Sequence, residues 1–308
     1  LAEGRHFAGL AYGLPGLILA LAAVFYAHAA FAAGSVAQGE DEKPMQFAVV
    51  RSNAPGCEPT CPEWISAEGA IVAGTPAQFK KVLKQIGGRR LPVVVSSPGG
   101  DVDAALTLGR TIRQNKLDVA VGLTRFNGCS PGMKDCKLND GKAAAYYGNA
   151  FTNGAYCASA CPLMLAGGVR RVVGQWAYLG VHQITTTYYK TRVLYRTKYK
   201  VVKGKKKIIE KKVVSRKNAG SYKTYEMNKP LEKRLDAYFK EMGVGGNLLV
   251  TIKNTPASTL RQIAAYNLLQ MNLVTSLDGA ELLTAANVCK TVPAAANCRV
   301  VTVSDLEG

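Results

Sequence analysis

Residues 91–96 read Leu-Pro-Val-Val-Val-Ser, and the run breaks at once into Ser97-Pro98-Gly99-Gly100-Asp101. A short apolar segment without polar alternation, stopped by turn residues, is a buried strand. Such a strand needs other strands beside it and helices over its faces, which commits the chain to a layered α/β fold. The flanking pattern agrees. Residues 45–50 read as a first strand, 64–73 contain a second, and 119–122 form another. Between them, 75–86 is a helix with Thr75 as N-cap, Pro76 at its first position and Gly87-Gly88 as its stop. Residues 101–115 form an amphipathic helix that aligns Ala104, Leu108 and Ile112. Strand–helix alternation predicts parallel pairing with helices outside.

Downstream, 124–153 is rich in Gly, Asn, Asp and Cys and reads as an irregular loop. A helix is expected over 158–167, short strands over 171–173 and 179–182, and helices over 226–242 and 260–270. The tail from 280 reads as a short disulfide-tied strand pair. Ser159 sits in the small-residue run Gly154-Ala155-Tyr156-Cys157-Ala158-Ser159-Ala160-Cys161, and His182 ends Leu179-Gly180-Val181. The break at Pro98-Gly99-Gly100 can turn backbone N–H groups toward one point. Nucleophile, base and oxyanion donors are the parts that acyl transfer requires. Of the three histidines, His6 and His28 lie in an N-terminal segment expected to be removed, which leaves His182 as the base.

In order and spacing these elements resemble the proteolytic subunit of the Clp proteases, within the crotonase-like superfamily. The likeness runs from about Ala70 to Val274. It is carried by Ser97-Pro98-Gly99-Gly100, Ala158-Ser159-Ala160 and Val181-His182-Gln183, with Leu165-Ala166-Gly167-Gly168 and Arg170-Arg171 between, and closes at Asn272-Leu273-Val274-Thr275. The resemblance implies a spiral of ββα units and a serine peptidase: Ser159 attacks, His182 takes the proton, and the N–H groups of Ala160 and of Gly99 or Gly100 hold the oxyanion. It also implies assembly into rings or trimers. The third triad position falls at Ile252-Lys253-Asn254-Thr255-Pro256, which offers Asn254 and no acid. Asn254 can orient an imidazole without supplying charge. A Ser–His dyad, a Ser-His-Asn set and a catalytically silent peptide-binding scaffold therefore stay open. So do an acyl-CoA enzyme of the superfamily, disfavoured outside the cytoplasm, and a Ser–Lys dyad that would make His182 incidental.

Residues 8–27 are apolar, follow Arg5 and precede Ala30-Phe31-Ala32-Ala33, which describes a signal peptide or an uncleaved anchor. The expected location is periplasmic or otherwise extracytoplasmic. The eight cysteines then read as disulfides. Cys57 with Cys61 and Cys289 with Cys298 are expected to pair, while Cys129, Cys136, Cys157 and Cys161 pair among themselves. If Cys157 and Cys161 were i and i+4 of a helix their bond would be awkward, which favours a link from the 129–136 loop to the Ser159 segment. No metal or cofactor is expected, because no cysteine pair has zinc-ribbon spacing.

The formal charge is +18, and residues 186–225 hold 14 Lys or Arg against the single acid Glu210. In that stretch Val193, Tyr195, Thr197, Tyr199 and Val201 alternate with Arg192, Arg196, Lys198 and Lys200, and Lys203-Gly204 makes a turn. This is a basic β-hairpin, suited through residues 190–217 to an anionic membrane or an acidic partner surface rather than nucleic acid. The expected divisions are 1–33 signal or anchor, 44–185 first part of the core, 186–225 hairpin, 226–279 second part, and 280–308 tail. The expected substrate is a peptide or protein.

Overall fold

The computed structural model describes residues 43–134, 136 and 146–301. The expected signal or anchor at 1–33 lies outside the described residues. Among those described, no helix is long and apolar enough to cross a membrane.

The elements run β1 (Gln46–Ser52), β2 (Thr60–Glu68), α1 (Thr75–Gln85), β3 (Val93–Ser96), α2 (Val102–Gln114), β4 (Val119–Val121), β5 (Leu123–Phe126), β6 (Tyr146–Phe151), β7 (Tyr156–Ala158), α3 (Cys161–Leu165), β8 (Arg171–Val173) and β9 (Tyr178–Val181). Then come β10 (Thr186–Val202), β11 (Lys205–Thr224), α4 (Lys229–Met242), α5 (Asn247–Asn254), β12 (Arg261–Gln262), α6 (Ala265–Gln270), α7 (Glu281–Thr284) and β13 (Cys298–Val300).

The central sheet has the order β5-β6-β1-β2-β3-β4-β8, with β13 attached to β2. From β2 through β8 its strands are parallel, as the strand–helix alternation demands. The β1–β2 and β5–β6 pairs are antiparallel. A smaller sheet has the order β12-β9-β7.

Burial explains the apolar run at β3. Val93 and Val95 enter a core with Ile65, Phe79, Leu108, Ile112 and Phe239. Val94 points the other way, to Val50, Trp64, Ala120, Val172 and Leu283. Both faces are covered, so neither can be polar.

Several expectations are corrected. Asp101 does cap α2, accepting from the Ala104 N–H at 2.8 Å, but Gly74 rather than Thr75 stands at the N-cap of α1. The Thr75 hydroxyl instead accepts from the Val72 N–H at 2.9 Å, bracing the preceding turn. The supposed loop over 124–153 contains β6, which pairs parallel with β1. The helix expected over 260–270 divides into β12, which pairs with β9, and α6. Among the described residues of the tail, the one strand, β13, pairs antiparallel with β2 rather than within the tail.

Candidate active site

The central and small sheets meet where β3 ends. Ser97 N–H donates to the Tyr156 carbonyl at 2.8 Å and Ala158 N–H donates to the Ser97 carbonyl at 3.0 Å, so the exit of β3 runs parallel beside β7. β7 pairs parallel with β9, Ala158 opposite Gly180. Gly99, Ser159 and His182 each stand just past the C-terminal end of one of these three neighbouring strands. Open α/β folds place their ligand sites at such ends.

The helix expected over 158–167 is a strand, a turn and a short helix. Ser159 is the turn, with φ 59°, between β7 and α3. A left-handed serine costs about 1–2 kcal/mol and persists only where its surroundings impose it. Two restraints are visible. The Ser159 N–H donates to the Gly180 carbonyl at 2.9 Å, and Cys157 is bonded to Cys161 across the turn, with Cα atoms 5.2 Å apart. Because Cys157 lies on a strand, the i to i+4 helical objection to that bond falls away. Cys129 accordingly pairs with Cys136, and no link joins that loop to the serine segment. Cys57–Cys61 and Cys289–Cys298 are also bonded. Cys57, Glu58 and Cys61 bring ligand atoms together, but the two sulfurs are joined to each other and are not thiolates.

Gly99, with φ 98°, is wedged against the serine turn. A Cβ there would lie 2.5 Å from the Ala158 oxygen, 2.6 Å from the Ala160 nitrogen and 2.7 Å from the Ser159 Cβ. The Gly99 carbonyl accepts from Ile71 N–H, and Asp101 N–H donates to the Ile71 carbonyl, both at 2.7 Å. The Gly99 N–H donates to the Ser97 hydroxyl at 3.1 Å. Of the two glycine N–H groups expected as oxyanion donors, that of Gly99 is thus engaged with a hydroxyl. The N–H groups of Gly100 and Ala160 meet no hydrogen-bond acceptor among the described residues.

His182 and Ser159 are each half-buried. The His182 Nδ1 lies 2.8 Å from the Gln183 carbonyl oxygen. A carbonyl can only accept, so Nδ1 is the donor in this contact, and in the neutral ring the lone pair then belongs to Nε2. Gln183 is itself held: its N–H donates to the Thr255 carbonyl at 2.8 Å and its Nε2 to the Lys253 carbonyl at 3.0 Å. The segment around Asn254 therefore reaches His182 through Gln183. Asn254 is exposed at the end of α5, and the position behind the imidazole that the sequence assigned to it is taken by the Gln183 carbonyl. Asp236 pairs with Lys240 at 2.7 Å, and Asp278 with the Ser276 hydroxyl. Sequence reasoning missed Ser97 and Gln183. Each adjoins a quoted motif residue, but a hydroxyl two residues before a glycine is the only local signal of either role.

Two concavities, one beside Arg90 and Arg170 and one beside Lys80 and Arg110, include neither Ser159 nor His182. No protein-family model matches the chain, and no curated protein matches it. Among solved structures it is similar to a mutant of the 1510-N membrane-bound stomatin-specific protease, at 15% identity over 77% of this chain and 89% of that one, with a TM-score of 0.40. A second mutant of that protease, in complex with a substrate peptide, is similar at 16% identity over 68% of this chain and 72% of that one, with a TM-score of 0.38. Scores this low transfer no activity.

Proposed function

We propose that this chain is a serine hydrolase acting on peptide bonds, with Ser159 as nucleophile and His182 as base. The observation that carries the reading is the turn at Ser159. It is a left-handed serine between strand and helix, clamped by a disulfide, with a glycine packed on one side and a strand that ends in a histidine on the other. Strand–turn–helix elbows of this kind expose a nucleophilic hydroxyl.

In this mechanism the Ser159 Oγ attacks the scissile carbonyl carbon as its proton passes to His182 Nε2. The carbonyl oxygen becomes the oxyanion, held by the Ala160 N–H and the Gly100 N–H. Collapse breaks the C–N bond, the amine leaves with the proton from His182, and an acyl-serine remains. Water, deprotonated by the same imidazole, releases the acid and restores Ser159. Removing one oxyanion donor in such a site costs roughly 3–4 kcal/mol of transition-state binding.

The carbonyl behind His182 orients the ring but brings no negative charge to the imidazolium. Loss of the charged third member costs about 10⁴ in rate in a serine protease triad, so turnover here is slow. The same feature favours a second reading, a silent relative that binds peptides as a scaffold. The superfamily spiral, a homo-oligomer and a periplasmic location complete the proposal; the four disulfides support an oxidising compartment.

Burst kinetics with an activated peptide ester test it. A burst equal to the enzyme concentration is expected, absent in Ser159→Ala and strongly slowed in His182→Ala. A wild-type trace that Ser159→Ala reproduces selects the scaffold instead.

A further inference from the structure

The ribbon β10–β11 is the largest feature that the catalytic reading leaves unused. Among the described residues its strands pair only with each other. The register puts Tyr195 opposite Val213, Tyr199 opposite Ile208 and Val201 opposite Lys206. Alternation along β10 sets those pairs on one face. That face is uncovered: Tyr195 is 44% exposed, Tyr199 52%, Val201 58%, Ile208 60% and Val213 40%. Lysines edge the aromatics, with the Lys211 Nζ 4.0 Å from the Tyr195 ring centre and the Lys206 Nζ 4.7 Å from that of Tyr199.

On the opposite face Arg192 stands across from Lys217, Arg196 from Lys212 and Lys200 from Lys207. Like charges directly opposite destabilise a ribbon, and the one relief is the Lys198–Glu210 pair at 2.7 Å. The ribbon therefore needs two things from outside itself, negative charge and an apolar phase. Nucleic acid supplies the first but gives Val201 and Ile208 nothing. A second copy of the ribbon supplies the second and doubles the repulsion. An anionic bilayer supplies both, because its headgroups neutralise lysine while its interfacial zone takes tyrosine and aliphatic side chains.

We propose that the ribbon lies flat on an anionic lipid surface, with the Tyr195–Tyr199–Ile208 face toward the lipid: Lys206 and Lys211 of that face reach the headgroups, and the arginine–lysine face behind it sits in the attractive potential of the surface. This rests on the ribbon alone and holds whether or not Ser159 is a nucleophile.

The test is co-sedimentation of the full chain with phosphatidylcholine vesicles, with and without phosphatidylglycerol. Any contribution from residues 8–27 is the same in every variant, so the differences report the ribbon. Phosphatidylglycerol should strengthen binding in low salt. Lys205→Gln with Lys206→Gln and Lys207→Gln should weaken that binding on the order of a hundredfold, from about 1 kcal/mol per surface lysine. High salt should shrink the difference. Tyr199→Ser with Ile208→Ser should weaken it too, which adsorption by charge alone would not predict. All these side chains are exposed, so thermal melting should be unchanged. As an independent readout, Ile208→Trp should add fluorescence that brominated lipid quenches. Equal binding by wild type and both variants, or no quenching, overturns the proposal. So does a dimer in solution that the Tyr199/Ile208 variant dissolves while vesicles bind nothing.

Discussion

At the scale of single residues, the candidate site depends on who cannot be present as much as on who is. Gly99 touches the backbone on both sides of Ser159, so any side chain there displaces the serine. Gly99→Ala should lower stability by about 2 kcal/mol or more and abolish reaction of Ser159 with an active-site probe. Urea denaturation together with labelling checks both. A stable, fully reactive variant would show that the wedge is irrelevant. Away from the site, burial pushes the Glu68 carboxyl above its usual range, against the Thr124 N–H and the Ser66 hydroxyl that favour its ionised form. Its folded pKa exceeds its unfolded one, so its contribution is full below the unfolded value and is lost as pH rises through the folded value. Glu68→Gln keeps an acceptor for the Thr124 N–H and never ionises. Its stability relative to wild type should therefore climb with pH above the ordinary carboxylate range, about pH 4. A difference that stays flat between acid and neutral pH contradicts this.

At the scale of elements, what was legible was whatever the local pattern encodes alone. The β3 run, the Asp101 cap of α2 and the hairpin alternation all reduce to periodicity, capping and turn chemistry. The Ser159 turn does not. Ala158-Ser159-Ala160 suits a helix on propensity, and its left-handed serine is held by the Cys157–Cys161 bond together with Gly99 and Gly180, which lie far off in sequence. The role of Gln183 was hidden for the same reason, since its partners are backbone carbonyls of Lys253 and Thr255. Replacing both Cys157 and Cys161 with alanine should cost about 2 kcal/mol on a loop-entropy basis. The probe-labelling rate at Ser159 should fall by far more than that loss implies, because the bond holds the turn. Equal labelling would assign the disulfide to stability alone. Arg171 on β8 donates to the carbonyls of Gly168, Asn272 and Leu273, tying the end of α3 to the close of α6. Burial lowers its pKa to about 10. Arg171→Met strands those carbonyls and should cost about 3 kcal/mol, read from chemical denaturation.

At the scale of the molecule, a buried carboxylate adds to the β13–β2 pairing that ties the C-terminal part of the described chain to its N-terminal part. Glu63 on β2 meets Arg51 from β1, Arg89 from the turn after α1, and Arg299 from β13. Glu63→Gln removes the charge that Arg89 and Arg299 share and leaves Arg51 with Glu58 alone; it should destabilise by about 3 kcal/mol, detaching the tail first in hydrogen exchange. Uniform protection loss across the sheet would show that the tail is not a separate unit. The described body carries both the serine turn and the two-stranded ribbon β10–β11. Whether Ser159 is an activated nucleophile is read most directly by treating the full chain with a fluorophosphonate and mapping its peptides. One adduct is expected, on Ser159, and it should be lost in His182→Ala. No adduct on folded protein, or an adduct that survives removal of His182 at an unchanged rate, would contradict that role.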